Sequence, residues 1–174
     1  MSLHDVMGFM TFLVACAAAA APGMRFTPGD WYARLDKPRW TPPDRMFAPV
    51  WTVLYFLIAI SGWLFWSAGA EGDRRDEARS LLPLVVFMVQ LVLNALWPVL
   101  FFALRLPGYA FAGILLLWCA IVATILLFAP LQPVAAWLLV PYLLWVTFAA
   151  ALNFSIWRRS RARRGQRLHG GWNL

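Results

Sequence analysis

The chain reads as an all-α protein, an integral membrane bundle of five transmembrane helices, and three observations predict it. First, 62% of its 174 residues are hydrophobic and 13% are charged, with a mean hydropathy of +0.67. That leaves too little polar side chain to clothe a water-soluble domain of this size. Second, the charges are segregated: no Asp, Glu, Lys or Arg lies between Asp5 and Arg25, Arg45 and Glu71, Arg79 and Arg105, or Arg105 and Arg158. A helix needs roughly 20 apolar residues to cross a hydrocarbon core of about 30 Å, so each of the first three gaps holds one span. Third, the last gap has room for two spans and is divided at Pro130-Leu131-Gln132-Pro133, where paired prolines predict a turn.

Each element can be justified in order. The first span covers about 3–24. Its Ala19-Ala20-Ala21 run before Pro22 would satisfy a small-residue cleavage rule, but the segment opens with His4 and Asp5 rather than Lys or Arg and is long enough to span, so it is read as a helix. In the loop that follows, 25–45, and just beyond it, Pro38, Pro42, Pro43 and Pro49 fix φ and remove backbone donors, so most of the segment is not expected to be regular helix before about Met46. The density of Trp and Tyr from Trp31 to Tyr55 predicts a docked, ordered loop rather than a linker. The remaining spans cover about 46–68, 81–104, 106–129 and 134–157, with Pro98 and Pro141 expected to kink the third and fifth. Together they form one domain over 1–158, followed by a basic tail, 159–174.

Orientation follows from the basic residues. With five spans, the loop after the first, the loop after the third and the C-terminus share one side. That side carries Arg25, Arg34, Lys37, Arg39, Arg45 and Arg105 and the tail's Arg158, Arg159, Arg161, Arg163, Arg164 and Arg167; the other carries only Arg74, Arg75 and Arg79. The positive-inside rule then predicts a cytoplasmic loop and tail and an outside N-terminus. A run of Arg directly after a span is read as a topology and anionic-lipid anchor, with no nucleic-acid partner expected.

Helical spacing marks three stripes. Phe47, Trp51 and Tyr55 lie on one face of the second span; Gln90, Asn94, Trp97 and Phe101 on one face of the third; Tyr142, Trp145, Ala149 and Leu152 on one face of the fifth. If these faces converge, they enclose an aromatic-walled cavity with one or two amides, the profile of a small-molecule site. The plainer alternatives stand beside it: an interfacial aromatic belt, particularly for Trp157 and Trp172, and an amide pair that only joins helices. Asn94 is expected to orient a ligand.

What is missing also narrows the chemistry. Apart from His4 and Asp5 at the outer edge of the first, no Asp, Glu, Lys, Arg or His lies within a span, which disfavours a proton-coupled exporter. His4 and His169 sit near opposite termini and Cys16 and Cys119 in separate spans, so no metal site is expected, and the two thiols are read as packing residues. No phosphate-binding Gly-rich loop or Ser/His/Asp set is present.

The aromatic segments also resemble a known family. Trp31-Tyr32-x-x-Leu35-x-Lys37-Pro38-x-Trp40-x-Pro42-Pro43, then Phe47-x-Pro49-x-Trp51-x-x-Leu54-Tyr55, is similar to the signature of the TspO/MBR family, the translocator proteins or peripheral-type benzodiazepine receptors. The resemblance continues through Gln90-Leu91-x-x-Asn94-x-x-Trp97-Pro98-x-x-Phe101-Phe102 and Pro141-Tyr142-Leu143-x-Trp145-x-x-x-Ala149-x-x-Leu152-Asn153, in order, over about 8–158. It implies a bacterial-type, multi-pass membrane protein, a homodimer, whose cavity under the loop binds porphyrins, haem, sterols or benzodiazepine-type ligands, with no cofactor required. Carried onto matching positions, the lid and upper wall are Ala21, Met24, Trp31, Trp40, Phe47, Ala48, Trp51 and Tyr55. The facing walls are Asn94, Trp97, Tyr109, Trp145, Ala149 and Leu152; Tyr109 stands where many relatives have Trp. The family's sterol motif corresponds to Leu152, Phe154 and Arg158, with Phe154 in place of its Tyr. Two functions follow from the resemblance: a porphyrin-binding receptor or transport-like protein acting in tetrapyrrole regulation or stress sensing, or a light- and oxygen-dependent porphyrin-degrading enzyme with Trp31 and Trp51 as redox-active rings.

Overall fold

The computed structural model describes residues 3–68 and 81–169, with side chains through Ala162. The basic residues Arg74, Arg75 and Arg79 and the Trp172 position therefore lie outside the described residues, as do the side chains of Arg163, Arg164, Arg167 and His169. Among the described residues, five helices are long and apolar enough to cross a membrane. In chain order, α1 is Leu3–Arg25, α2 a single turn at Asp30–Ala33, α3 Phe47–Ala68, α4 Leu81–Pro98, α5 Pro107–Phe128, α6 Pro133–Leu138 and α7 Val140–His169.

Proline sets most of the boundaries. Pro107 and Pro133 open α5 and α6, where a missing N–H costs nothing. Pro141 lacks the N–H that would bond back four residues, and the fifth span breaks at Leu139 between α6 and α7. Pro98 does something different: the third span continues as a π turn, Val99–Ala103, in which the Leu104 N–H donates to the Val99 carbonyl at 2.9 Å. The chain then leaves through Arg105 at φ 57, with the Leu106 N–H closing back on the Leu100 carbonyl at 3.0 Å. The wider π turn brings Phe101 and Phe102 both against the loop. At the other extreme α7 does not stop with the span near 157; it continues as helix through the basic stretch to His169.

The spans close into a ring. α1 packs on α3 and α4, α4 on α5, α5 on α7, and α3 meets the fifth span through α6 and α7, so the cyclic order is first, second, fifth, fourth, third. The two ends of this ring are filled differently. Away from the loop, Phe65 and Phe128 stack at 3.9 Å between centroids, Phe87 lies parallel to Phe128, and Phe12 meets Phe87 edge-on. Gly62 lets Phe12 and Phe87 come this close: a Cβ there would stand 2.5 Å from Phe12 and 2.8 Å from Phe87. The Ser61 hydroxyl donates to the Ala135 carbonyl at 2.7 Å, tying α3 to α6.

Candidate functional site

The loop after α1 folds over the opposite end of the ring. Its anchor is Tyr32, 2% exposed, whose ring meets Phe101 and Phe102 edge-on while the Lys37 ammonium lies over it, 4.2 Å from the ring centroid. Burial, with the Asp44 charge second, pushes the Tyr32 phenol pKa up to about 12. Trp31 adds a second edge contact to Phe101, Trp40 lies against Phe148, and Arg159 of α7 reaches Asp36 of the loop at 3.4 Å. That ion pair is half-exposed and contributes little by itself; its value is geometric, because it fixes the loop and the start of the basic helix at the same end. The Thr41 hydroxyl closes the turn on the Pro38 carbonyl at 2.7 Å.

Beneath the loop lies one interior space of about 20 Å³, bounded by Tyr32, Phe47, Trp97, Phe101, Leu152 and Asn153 among others. It holds about one water molecule, against the roughly 300 Å³ or more of a ligand pocket, so the described state is closed. Of the residues expected to form the walls, Phe47, Trp97, Ala149 and Leu152 border this space directly. Trp145 packs on Phe47 and Phe148, Trp31 on Phe101, and Trp51 on Tyr55 and Tyr142 at 5.5 and 6.2 Å.

Two hydrogen-bonded sets cross the ring here. The Tyr55 hydroxyl is shared between the Asn94 Oδ1 at 2.8 Å and the Ala19 carbonyl at 3.2 Å, and Asn94 Nδ2 donates to the Tyr142 hydroxyl at 2.6 Å. Both ends of the Asn94 amide are thus occupied, and the side chain joins the second, third and fifth spans instead of facing an open space. Closer to the loop, Trp97 Nε1 donates to Asn153 Oδ1 at 3.1 Å while Asn153 Nδ2 donates to the Pro107 carbonyl at 2.8 Å. By contrast the Gln90 amide and the Trp145 and Trp63 indole N–H groups are buried and find no protein partner among the described residues.

Several expected positions fall elsewhere. Tyr109 is 71% exposed, on the outer face of α5, because the stripe that α5 turns inward is Ala110, Ile114, Leu117 and Ile121. Met24, Ala21 and Ala48 are exposed at the rim. The sterol stretch does not form a single surface: Leu152 is buried, whereas Phe154 faces out against Phe111 and Trp157, and Arg158 is exposed. Residues two apart on a helix cannot share a face. Missed by sequence reasoning were Phe102, Phe148, Asn153 and Ile156, while Tyr32 was read only as one of the aromatic rings of the loop segment. Phe102 and Asn153 stood in the quoted motifs without a role; Phe102 comes against Tyr32 because of the π turn, which no spacing rule announces.

Fold and site together define a multi-pass membrane protein whose aromatic interior is covered by a docked loop. The profile of the TspO/MBR family matches residues 9–158, and the chain belongs to that family. It is 39% identical over 150 residues to Protein CrtK of Rhodobacter capsulatus, covering 86% of this chain and 91% of that one. It is 37% identical over 159 residues to the Tryptophan-rich sensory protein of Cereibacter sphaeroides, covering 89% and 95%. The human Translocator protein is 37% identical over 161 residues, covering 91% and 93%.

Proposed function

We propose that this protein binds porphyrin-type molecules, protoporphyrin IX or haem, between the loop and the loop-end halves of the second, third and fifth spans, acting as a receptor or transport-like protein in tetrapyrrole regulation or stress sensing. The observation that carries the reading is the convergence of Phe47, Trp97, Ala149 and Leu152 with Tyr32 of the loop around one interior space. A flat macrocycle stacks on such rings without needing specific side-chain chemistry. The closed space means that entry requires the loop to lift, breaking the Tyr32 contacts and the Asp36–Arg159 pair. Ligand affinity is then reduced by whatever docking of the loop is worth. Titrating the purified protein with protoporphyrin IX in the dark, following Trp fluorescence, tests this; saturable quenching at one ligand per chain is expected, and its absence removes the reading.

The second reading, light- and oxygen-dependent porphyrin degradation, is favoured by Trp51, whose half-buried ring touches both Tyr55 and Tyr142. Under illumination the wild type would convert protoporphyrin IX into a new absorbing species and Trp51→Phe would do so much more slowly. No protein-dependent product in the wild type leaves binding alone. The proposal includes a homodimer and a cytoplasmic loop and tail. Chemical crosslinking in membranes checks the first; one-sided labelling of cysteines placed at Asp36 and Gln166 checks the second.

A further inference from the structure

Charge divides the two ends of the bundle. Among the described side chains the loop end holds nine Arg and Lys residues against three Asp, whereas the space beneath the loop is walled by uncharged groups. A carboxylate carried into that space would lose its water and meet no cation, which is strongly unfavourable at membrane depth. An acidic ligand can therefore enter ring-first only, with its acid groups left at the mouth.

Lys37 is placed to meet them. Its ammonium lies over the ring of Tyr32, the one loop residue that borders the interior space. The neighbouring Asp36 is engaged by Arg159, and among the described residues no carboxylate stands within ion-pair distance of Lys37. Asp44 is near enough to act on the Tyr32 phenol but is not paired with the ammonium. An ammonium directed at a ring face keeps donors for a carboxylate, and its flexible stem lets it stay within reach of the ligand as the loop that carries it lifts.

We infer that Lys37 reads the acid groups of the ligand: a tetrapyrrole lies with its uncharged ring among the aromatic walls and a carboxylate against the Lys37 ammonium at the mouth. This rests on the porphyrin reading above and adds a chemical preference to it, for a free acid over a neutral ester of the same ring.

The test compares protoporphyrin IX with its dimethyl ester. Both are presented to the full chain in nanodiscs of zwitterionic lipid, with empty discs subtracted. The wild type should bind the diacid roughly tenfold more tightly than the ester, the scale of one charge-assisted hydrogen bond at a half-wet site. Lys37→Gln should bring the two affinities within about twofold and Lys37→Arg should retain most of the preference, since the charge is what is read. Arg159→Gln, which removes the ion pair to Asp36 without altering Lys37, should move both affinities little and together and keep their ratio. Equal affinities in the wild type, or a ratio unchanged in Lys37→Gln, would overturn the inference and leave porphyrin binding intact. Failure of protoporphyrin IX itself to bind would remove both readings.

Discussion

The two ends of the bundle solve packing in different ways. At the end remote from the loop, Phe65, Phe87 and Phe128 lie parallel and Gly62 brings Phe12 and Phe87 into direct contact. At the loop end, Tyr32 and Trp31 meet Phe101 edge-on, polar side chains link the spans, and a small space remains. Lipid tails are as apolar as these side chains, so neither end is held by removal from water; both depend on close packing and interhelical hydrogen bonds. A stacked ring core has one good arrangement. Edge contacts to a docked loop have several near-equivalent arrangements, so under the proposed function the remote end holds the bundle together and the loop end is the part that opens.

The largest effect is expected at Phe128. Phe128→Ala removes the ring on which Phe65 and Phe87 both lie, and the cavity left behind should cost about 3–5 kcal/mol. Thermal unfolding in detergent should show the loss, while porphyrin affinity per folded molecule stays near wild type. A large affinity loss with little destabilisation would mean that the remote end also forms the site.

Gly62→Ala probes the same end from the opposite direction. The added methyl meets two buried rings, so overpacking should cost about 1–3 kcal/mol. Restoring space with Phe12→Leu in the same chain should recover part of it; independent, additive effects would show that the contact at Gly62 is not what limits packing there.

At the boundary between the halves, Asn94→Leu leaves the Tyr55 and Tyr142 hydroxyls without their amide partner. A stability loss of about 1–2 kcal/mol is expected, in keeping with interhelical bonds that average under 1 kcal/mol each and with unpaired buried groups that cost more. If binding falls while stability does not move, Asn94 serves the ligand after all.

The smallest effect concerns the loop itself. Tyr32 is an acid whose pKa is raised on docking, from the ordinary 10.0 to about 12, mainly by burial. Below pH 10 the phenol is neutral in docked and undocked loop alike and contributes no pH dependence. Between about pH 10 and 12 the undocked loop gives up its proton while the docked one keeps it, so docking weakens as pH rises through that window. Trp fluorescence should report loop release there, and Tyr32→Phe should abolish the alkaline transition. A transition that persists in Tyr32→Phe belongs to another group.

Much of the fold was legible because a bilayer makes the rules simple. Four charge-free stretches and the paired prolines at 130 and 133 suffice for five spans, since in hydrocarbon every backbone polar group must be satisfied within the helix and length is set by membrane thickness. The third-span stripe was also readable: Gln90, Asn94, Trp97 and Phe101 share a face and all but the half-buried Trp97 are buried. The tail was less so. The sequence placed its boundary near 158 because apolarity ends there, but nothing in Arg-rich composition stops a helix, and α7 continues to His169.

By itself, then, the sequence determined span number, the proline breaks, the shared side of loop and tail, and the family. Beyond the third-span stripe, tertiary structure decided which face of a span turns inward. It sent Tyr109 out to the surface, gave both ends of the Asn94 amide to Tyr55 and Tyr142, and used a π turn after Pro98 to bring Phe102 beneath Tyr32. The physical reason is that a span is apolar all round. Periodicity reveals which residues lie together on a helix, but without a polar outer face the rotation toward neighbours is fixed only by how five surfaces pack at once.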